Sequence, residues 1–317
     1  MHCHSATITD LEPATTYRYR VGSKALNVWS DYHTFTTAPA NVDSFAFAYF
    51  GDTQAHPEAF GKMLNDVERQ HPETAFYMIA GDLVEHGERR NLWDNFLNYT
   101  KPVFSTKPVA PAMGNHDFTR FGAGVRTFNA YFTLPFTQQV GSSSELNYSF
   151  QYGNTFFIVV NARAYNLKEQ TDWLEAELKK AEAAGCDFKV IMSHFPVYNP
   201  KESRKNEAAK QYWAPLFDKY GVDLMFAGHD HSYMRSKPLI AGKVVPEGQA
   251  GTIYIVAVGS DKFYKAERLN IAAKQFTEIT TYQIIHVSRN SAGEPALHYQ
   301  AYGSDGKLLD EFELHKN

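Results

Sequence analysis

The chain has 317 residues, 44% of them hydrophobic, enough for one large domain, or one large and one small, with an extensive core. A formal net charge of −4 argues against nucleic acid or an anionic membrane surface as a bulk electrostatic partner, and no apolar stretch reaches the roughly 18–20 residues that a membrane span requires. Met1-His2-Cys3-His4 lacks the basic and apolar regions of a secretory signal, and two cysteines, Cys3 and Cys186, are too few for a disulfide scaffold.

The first 38 residues differ in kind from the rest. Residues 17–21 alternate as a strand, with Tyr17, Tyr19 and Val21 on one face, and residues 29–36 read as the closing strand. The approach Leu11-x-Pro13-x-Thr15-x-Tyr17 resembles the tyrosine corner of fibronectin type III and related sandwiches. A whole sandwich needs about seven strands and this segment supplies about three, so 1–38 is expected to be the C-terminal part of such a domain. A β-extension packed on the main domain is the alternative.

After the linker Ala38-Pro39-Ala40-Asn41, strands and helices alternate over 39–317. Apolar runs at 45–50, 75–80, 188–192 and 222–227 read as buried strands, and 108–113 as a shorter one. A helix is expected from Pro57 to about Gln70, with Phe60, Met63, Leu64 and Val67 on one side. Others are expected over 89–99, 123–132, 168–184 and 207–220. Residues 145–152 and 155–161 should form a hairpin about Gly153-Asn154. The tail changes character: 252–258, 280–288, 295–302 and 308–314 look like antiparallel strands.

Five of the apolar runs end in metal-binding residue types: Gly51-Asp52-Thr53-Gln54, Gly81-Asp82, Gly114-Asn115-His116-Asp117, Ser193-His194 and Gly228-His229-Asp230-His231. A small residue at each corner lets the chain turn and present the next side chain at a strand's carboxyl end. Each corner alone is a common turn; the weight lies in their number and strand-end placement. Hard divalent cations take carboxylate oxygen, while imidazole and amide oxygen complete coordination for iron, zinc or manganese. Asp82 is the natural bridge between two metals, with Asp52 and His231 on one and Asn115, His194 and His229 on the other. Two such cations, two carboxylates and a hydroxide leave a net charge of roughly +1, suited to a phosphate dianion. His2, His4, His33, His71, His286, His298 and His315 read as surface or core residues.

The ordered set Asp52-x-Gln54, Gly81-Asp82, Gly114-Asn115-His116-Asp117, His194 and Gly228-His229-x-His231 resembles the calcineurin-like metallophosphoesterase signature. The stretches Ser193-His194-Phe195-Pro196-Val197-Tyr198 and Tyr302-x-x-Asp305-Gly306-Lys307-x-x-Asp310 are similar to the purple acid phosphatase branch, as is the fibronectin-like lead. The resemblance covers nearly the whole chain. It implies an α/β fold, a four-layer αββα sandwich with two mixed sheets face to face and a dinuclear centre of Fe, Zn or Mn at the strands' carboxyl ends. It implies hydrolysis of a small phosphate monoester by direct in-line attack of metal-bound hydroxide, and an exported protein. His116 would be a general acid rather than a ligand, with Asp117 fixing its tautomer. His86 and Tyr198 would lie near substrate; for His86 the alternative is a solvated loop histidine beside Glu85 and Glu88. Phe263 and Tyr264 are candidates for a specificity pocket.

Two positions depart from the branch. Glu85 stands where it has the tyrosine whose charge transfer to ferric iron gives the colour, so a colourless enzyme with divalent metals is expected. Gln54 stands where the branch has glycine and the wider superfamily histidine; its amide oxygen would either ligate metal or hold a water. The nearest rival is a phosphodiesterase of the same chemistry. A rival of another class is a surface interaction protein with a vestigial site.

Overall fold

The computed structural model describes residues 4–119, 122–135, 146–161, 167–201 and 204–316, and the side chains of all of these but 167–169. The leading segment holds β1 (Thr16–Tyr19), β2 (Gly22–Ser23), β3 (Val28–Trp29) and β4 (His33–Thr36); β1 pairs antiparallel with β4, and β2 with β3. The tyrosine corner forms, the Tyr17 hydroxyl oxygen accepting from the Glu12 amide at 2.8 Å. Tyr17 and Tyr19 share the inner face, but Val21 is 64% exposed because the strand stops at Tyr19. The Tyr19 hydroxyl donates to the Ser105 carbonyl at 2.7 Å and ties this segment to the rest.

The chain continues through β5 (Phe45–Phe50), α1 (Pro57–Gln70), β6 (Thr74–Ile79), α2 (Arg90–Phe104), β7 (Val109–Pro111), α3 (Asn115–Phe118), α4 (Val125–Tyr131), β8 (Tyr148–Tyr152), β9 (Thr155–Val159) and α5 (Leu167–Ala183). It then runs through β10 (Phe188–Met192), α6 (Glu207–Tyr212), α7 (Ala214–Tyr220), β11 (Leu224–Ala227), β12 (Tyr233–Ser236), β13 (Leu239–Ile240), β14 (Lys243–Val244) and β15 (Ile253–Val256). The last strands are β16 (Ala272–Phe276), β17 (Thr281–Arg289), β18 (Pro295–Gly303) and β19 (Leu308–His315).

Two mixed sheets result. One has the order β19-β18-β17-β5-β6-β7 and the other β16-β12-β15-β11-β10-β9-β8. Strands β5, β6 and β7 are parallel, as are β9, β10, β11 and β15. The expectation that 252–258 belongs to the antiparallel tail is therefore corrected, since β15 pairs parallel with β11. Its sequence Ile-Tyr-Ile-Val is buried on both faces, the composition of a central strand.

Alternation sorts each central strand between two layers. Phe47 and Tyr49 of β5 face Phe157, Val190 and Phe226 of the other sheet. Ala48 and Phe50 point the opposite way, onto α1 and α2. Ile158, Ile191 and Met225 meet α5 and α7 on the far side. Helices thus cover both outer faces, and the fold is the four-layer sandwich.

Three helix boundaries differ from expectation. Residues 207–220 form α6 and α7 rather than one helix, because Pro215 has no N–H to give the carbonyl four residues back and the buried Trp213 fills the joint. Helix α2 runs on to Phe104, carrying Pro102 in its last turns and burying Val103. Residues 115–118 fold into the one-turn α3 rather than an extended corner. Glu145, Cys3 and His2 lie outside the described residues. Cys186 is buried and free, and no described helix is long and apolar enough to cross a membrane.

Candidate metal centre

The sheet orders decide which corners meet. Asp52 follows β5, Asp82 follows β6 and Asn115 opens α3 after β7, so three donors leave adjacent parallel strands at one edge. His194 follows β10 and His229 follows β11, adjacent parallel strands of the other sheet. Hydrogen bonds join the two edges. His194 Nδ1 meets the Ala80 carbonyl at 2.8 Å, and the His229 amide donates to Asp52 Oδ1 at 2.5 Å. Within the first edge, the Gln54 backbone amide donates to the Asp82 carbonyl at 2.9 Å.

Close approach explains two of the glycines. Gly81 has φ +88°, and a Cβ on Gly228 would overlap Asp52 Oδ1. Asp82, His229 and His231 adopt left-handed backbone at φ 50°, 68° and 47° without being glycine. Such strain persists where surrounding structure over-determines the conformation, as at functional sites.

The donor atoms fall into two groups about Asp82. In one, His231 Nε2 lies 3.1 Å from Asp52 Oδ2 and 3.3 Å from the Gln54 amide nitrogen. In the other, His194 Nε2 lies 3.1 Å from Asn115 Oδ1 and 3.3 Å from Asp82 Oδ2. The rings of His194 and His229 are 5.1 Å apart. Donor atoms of Asp52, Asp82 and His231 all lie within 4.8 Å of one another, and all three residues are buried.

This arrangement is short of positive charge. His194 and His231 each turn Nδ1 to a carbonyl, Ala80 and Lys262, which leaves each Nε2 lone pair facing a carboxylate. Two acceptors at that distance need a proton or a cation between them. Gln54 Oε1 and Asp52 Oδ2 are buried with no hydrogen-bond donor among the described residues. Burial would lower the His194 pKa, yet Asp82 and Asp52 outweigh it and raise it to about 9; His231 is raised against burial by Asp52. Burial would raise Asp52, but His231 and His194 hold it below the usual carboxylate range. His229 is pushed down to about 2 by burial and by His194, so it stays neutral with a lone pair to give. The donor set of carboxylate, imidazole and amide oxygen fits divalent cations.

His116 and Asp117 occupy different places from those expected of a catalytic pair. His116 Nδ1 meets the Glu85 carbonyl at 2.8 Å, and its amide donates to Asp82 Oδ1 at 2.7 Å. Asp117 is not the tautomer-fixing partner. Its Oδ1 accepts from the Leu83 and Val84 amides at 2.9 and 3.1 Å, and its Oδ2 from the Gly114 amide at 2.9 Å. A one-turn helix places residue 117 inward and residue 116 toward the mouth, so the acid pins the Asp82 loop instead. Burial, followed by the Asp82 charge, pushes its carboxyl up to about 7. Asp117→Asn sets one amide donor against a backbone donor. Thermal unfolding should show a loss of about 1–3 kcal/mol; an unchanged Tm would mean the loop does not depend on this anchor.

His86 is half-exposed, 3.9 Å from Glu88, which fits a solvated loop position. Tyr198 packs edge-on against Tyr254 at 4.7 Å, partly buried against the apolar layer beneath the helices. Its ring is drawn into the apolar layer outside the second sheet. Glu85 turns its carboxylate to Lys262, 3.1 Å away.

Comparison with known proteins agrees with this architecture. The calcineurin-like phosphoesterase profile matches residues 45–233, more than half of the chain. The chain belongs to the calcineurin-like phosphoesterase family. Residues 1–37 match the purple acid phosphatase N-terminal domain. Arabidopsis thaliana purple acid phosphatase 21 is 27% identical over 260 residues, 80% of this chain and 56% of the relative. An uncharacterized Mycobacterium tuberculosis protein is 30% identical over 277 residues, 75% of this chain and 51% of its own length. The chain thus spans about half the length of the curated relatives it matches. Among solved structures, purple acid phosphatase PPD1 from yellow lupin (Lupinus luteus) seeds superposes with a TM-score of 0.83 at 18% identity, over 98% of this chain and 61% of that one. GAP50, the anchor in the inner membrane complex of Plasmodium, gives 0.64 at 15% identity, over 87% and 90%. At these identities the likeness is one of fold.

Within this phosphoesterase frame, sequence reasoning missed Phe195, Lys262, Arg204 and Asn199. The Phe195 ring lies 4.4 Å from that of His229. The Lys262 carbonyl orients His231, Arg204 donates to the His229 carbonyl at 2.8 Å, and Asn199 donates to buried Asp230 at 3.1 Å. Adjacency to His194 could have flagged Phe195; nothing local in the sequence signals the other three.

Proposed function

We propose that this chain is a dinuclear-metal phosphohydrolase acting on phosphate monoesters without a covalent enzyme intermediate. The observation that carries the reading is the pair of buried donor groups that share Asp82, each with lone pairs converging on one another. Asp52, Gln54 and His231 would hold one divalent cation, Asn115, His194 and His229 the other, and Asp82 both. When bound, two such ions neutralise phosphate charge and acidify a water to supply the nucleophile. His116 then has its Nδ1 engaged by the Glu85 carbonyl, which leaves Nε2 to hand a proton to the leaving-group oxygen. The strained His229 and His231 backbone keeps the donors in place before substrate arrives. The purple acid phosphatase names among the relatives favour a monoester over a diester.

Metal analysis of the purified full chain, with turnover of p-nitrophenyl phosphate and of bis(p-nitrophenyl) phosphate, which share one leaving group, tests the reading. About two metal ions per chain and a higher kcat/KM for the monoester are expected. Preference for the diester would move the assignment to a phosphodiesterase, and no metal or turnover would end it. A second expectation concerns colour. Since Glu85 is paired with Lys262, the iron-loaded protein should have no visible tyrosinate charge-transfer band; a purple preparation would place an unforeseen tyrosine on the metal.

A further inference from the structure

A basic rim stands on one side of the candidate centre. Tyr264, on the loop after β15, donates its amide to the His231 carbonyl at 3.1 Å, and its ring lies 4.5 Å from the His231 imidazole, centroid to centroid. Two cations from the segment after β10 approach that ring: the Arg204 guanidinium at 4.7 Å and the Lys201 ammonium at 5.3 Å from its centroid. Arg204 is tied down by the His229 carbonyl at 2.8 Å and reaches the Asp230 carboxylate at 3.4 Å. Among the described residues Lys201 has no such tether, and no carboxylate lies within 4 Å of its ammonium. The whole chain carries a net charge of −4, so composition alone does not explain two cations gathered beside this one ring. The proposed hydrolytic chemistry uses neither of them.

We infer that Lys201, Arg204 and Tyr264 form a subsite for a second phosphate of the substrate, so that the preferred esters carry two phosphates rather than one. The inference rests on the monoesterase reading above. Guanidinium and ammonium groups are the side chains that take phosphate oxygens, Arg by paired N–H groups and Lys as a point charge. An aromatic ring and a carbonyl hold Arg204 in one orientation, which reduces the ordering that binding would otherwise require. The ring displaces water from the flank of both cations, and a charge contact in a less watery setting is stronger. Arg204 also connects the subsite to the reacting end, since the carbonyl it binds belongs to His229. A second phosphate held here would therefore bind next to, and not on, the residues that receive the first.

The test compares butane-1,4-diol bisphosphate with butyl phosphate on the metal-loaded full chain. The bisphosphate should have the higher kcat/KM by about tenfold, well beyond the statistical factor of two, with the difference in KM and shrinking as salt is raised. Lys201→Met should cut that preference by about 3- to 10-fold, Lys201→Arg should retain it, and Lys243→Met, on the exposed hairpin strand β14, should leave it alone. No preference in the wild type, or an equal preference in Lys201→Met, overturns the subsite while leaving the monoesterase reading intact. If neither ester is turned over, that reading fails, and calorimetric binding of the same two compounds decides the subsite. Equal affinities then overturn it, and tighter bisphosphate binding that depends on Lys201 supports it.

Discussion

Asp82→Asn is expected to lower the occupancy of both metals together and to reduce kcat/KM by more than about 100-fold. Loss of an outer partner of a metal ligand already costs about 10–100-fold in affinity or activity, and Asp82 stands inside the cluster. Its Oδ1 takes the His116 amide at 2.7 Å and its Oδ2 lies 3.3 Å from His194 Nε2, within reach of both donor groups. The amide keeps the shape and removes the charge that would hold two cations near each other. Plasma mass spectrometry of the purified variant, with far-UV circular dichroism to exclude unfolding, reads the result. Loss of one metal with the rate scarcely changed would contradict the bridging role.

His116→Ala should slow alkyl phosphates by about 10²–10⁴-fold, the usual range for acid–base catalysis. A general acid matters in proportion to how poor the leaving group is, because a basic alkoxide needs a proton as the P–O bond breaks and a nitrophenolate does not. Aryl esters should therefore lose much less, and the ratio between the two substrates is the readout. Metal content should hold, since the imidazole turns Nδ1 to the Glu85 carbonyl and only its amide meets Asp82. Equal slowing of every ester, together with loss of a metal, would move His116 into the coordination shell. Asp117→Asn separates from this pattern: its three backbone partners make it an anchor, so it should act on stability with little leaving-group dependence.

The sequence by itself determined most strands of the two large sheets, though not β12 and β16, together with their alternation and the corners that carry Asp52, Asp82, Asn115, His194 and His229. These features are local: a two-residue period sorts a strand's faces, and a glycine at φ +88° such as Gly81 marks a turn wherever the strand lies. The ordered motifs and the tyrosine corner are likewise written within short windows. Tertiary structure decided what no window contains. The parallel pairing of β15 with β11 depends on burial of both its faces by layers supplied from elsewhere in the chain. The direction of the Asp117 carboxylate depends on one helical turn and on amides more than thirty residues away. Tyr198 was drawn into the apolar layer by Tyr254, and Lys262 came to Glu85 across 177 positions. Long-range pairing fixes such neighbours, because a side chain's charge and shape set what it can bind while the packing of the sheets sets what it meets.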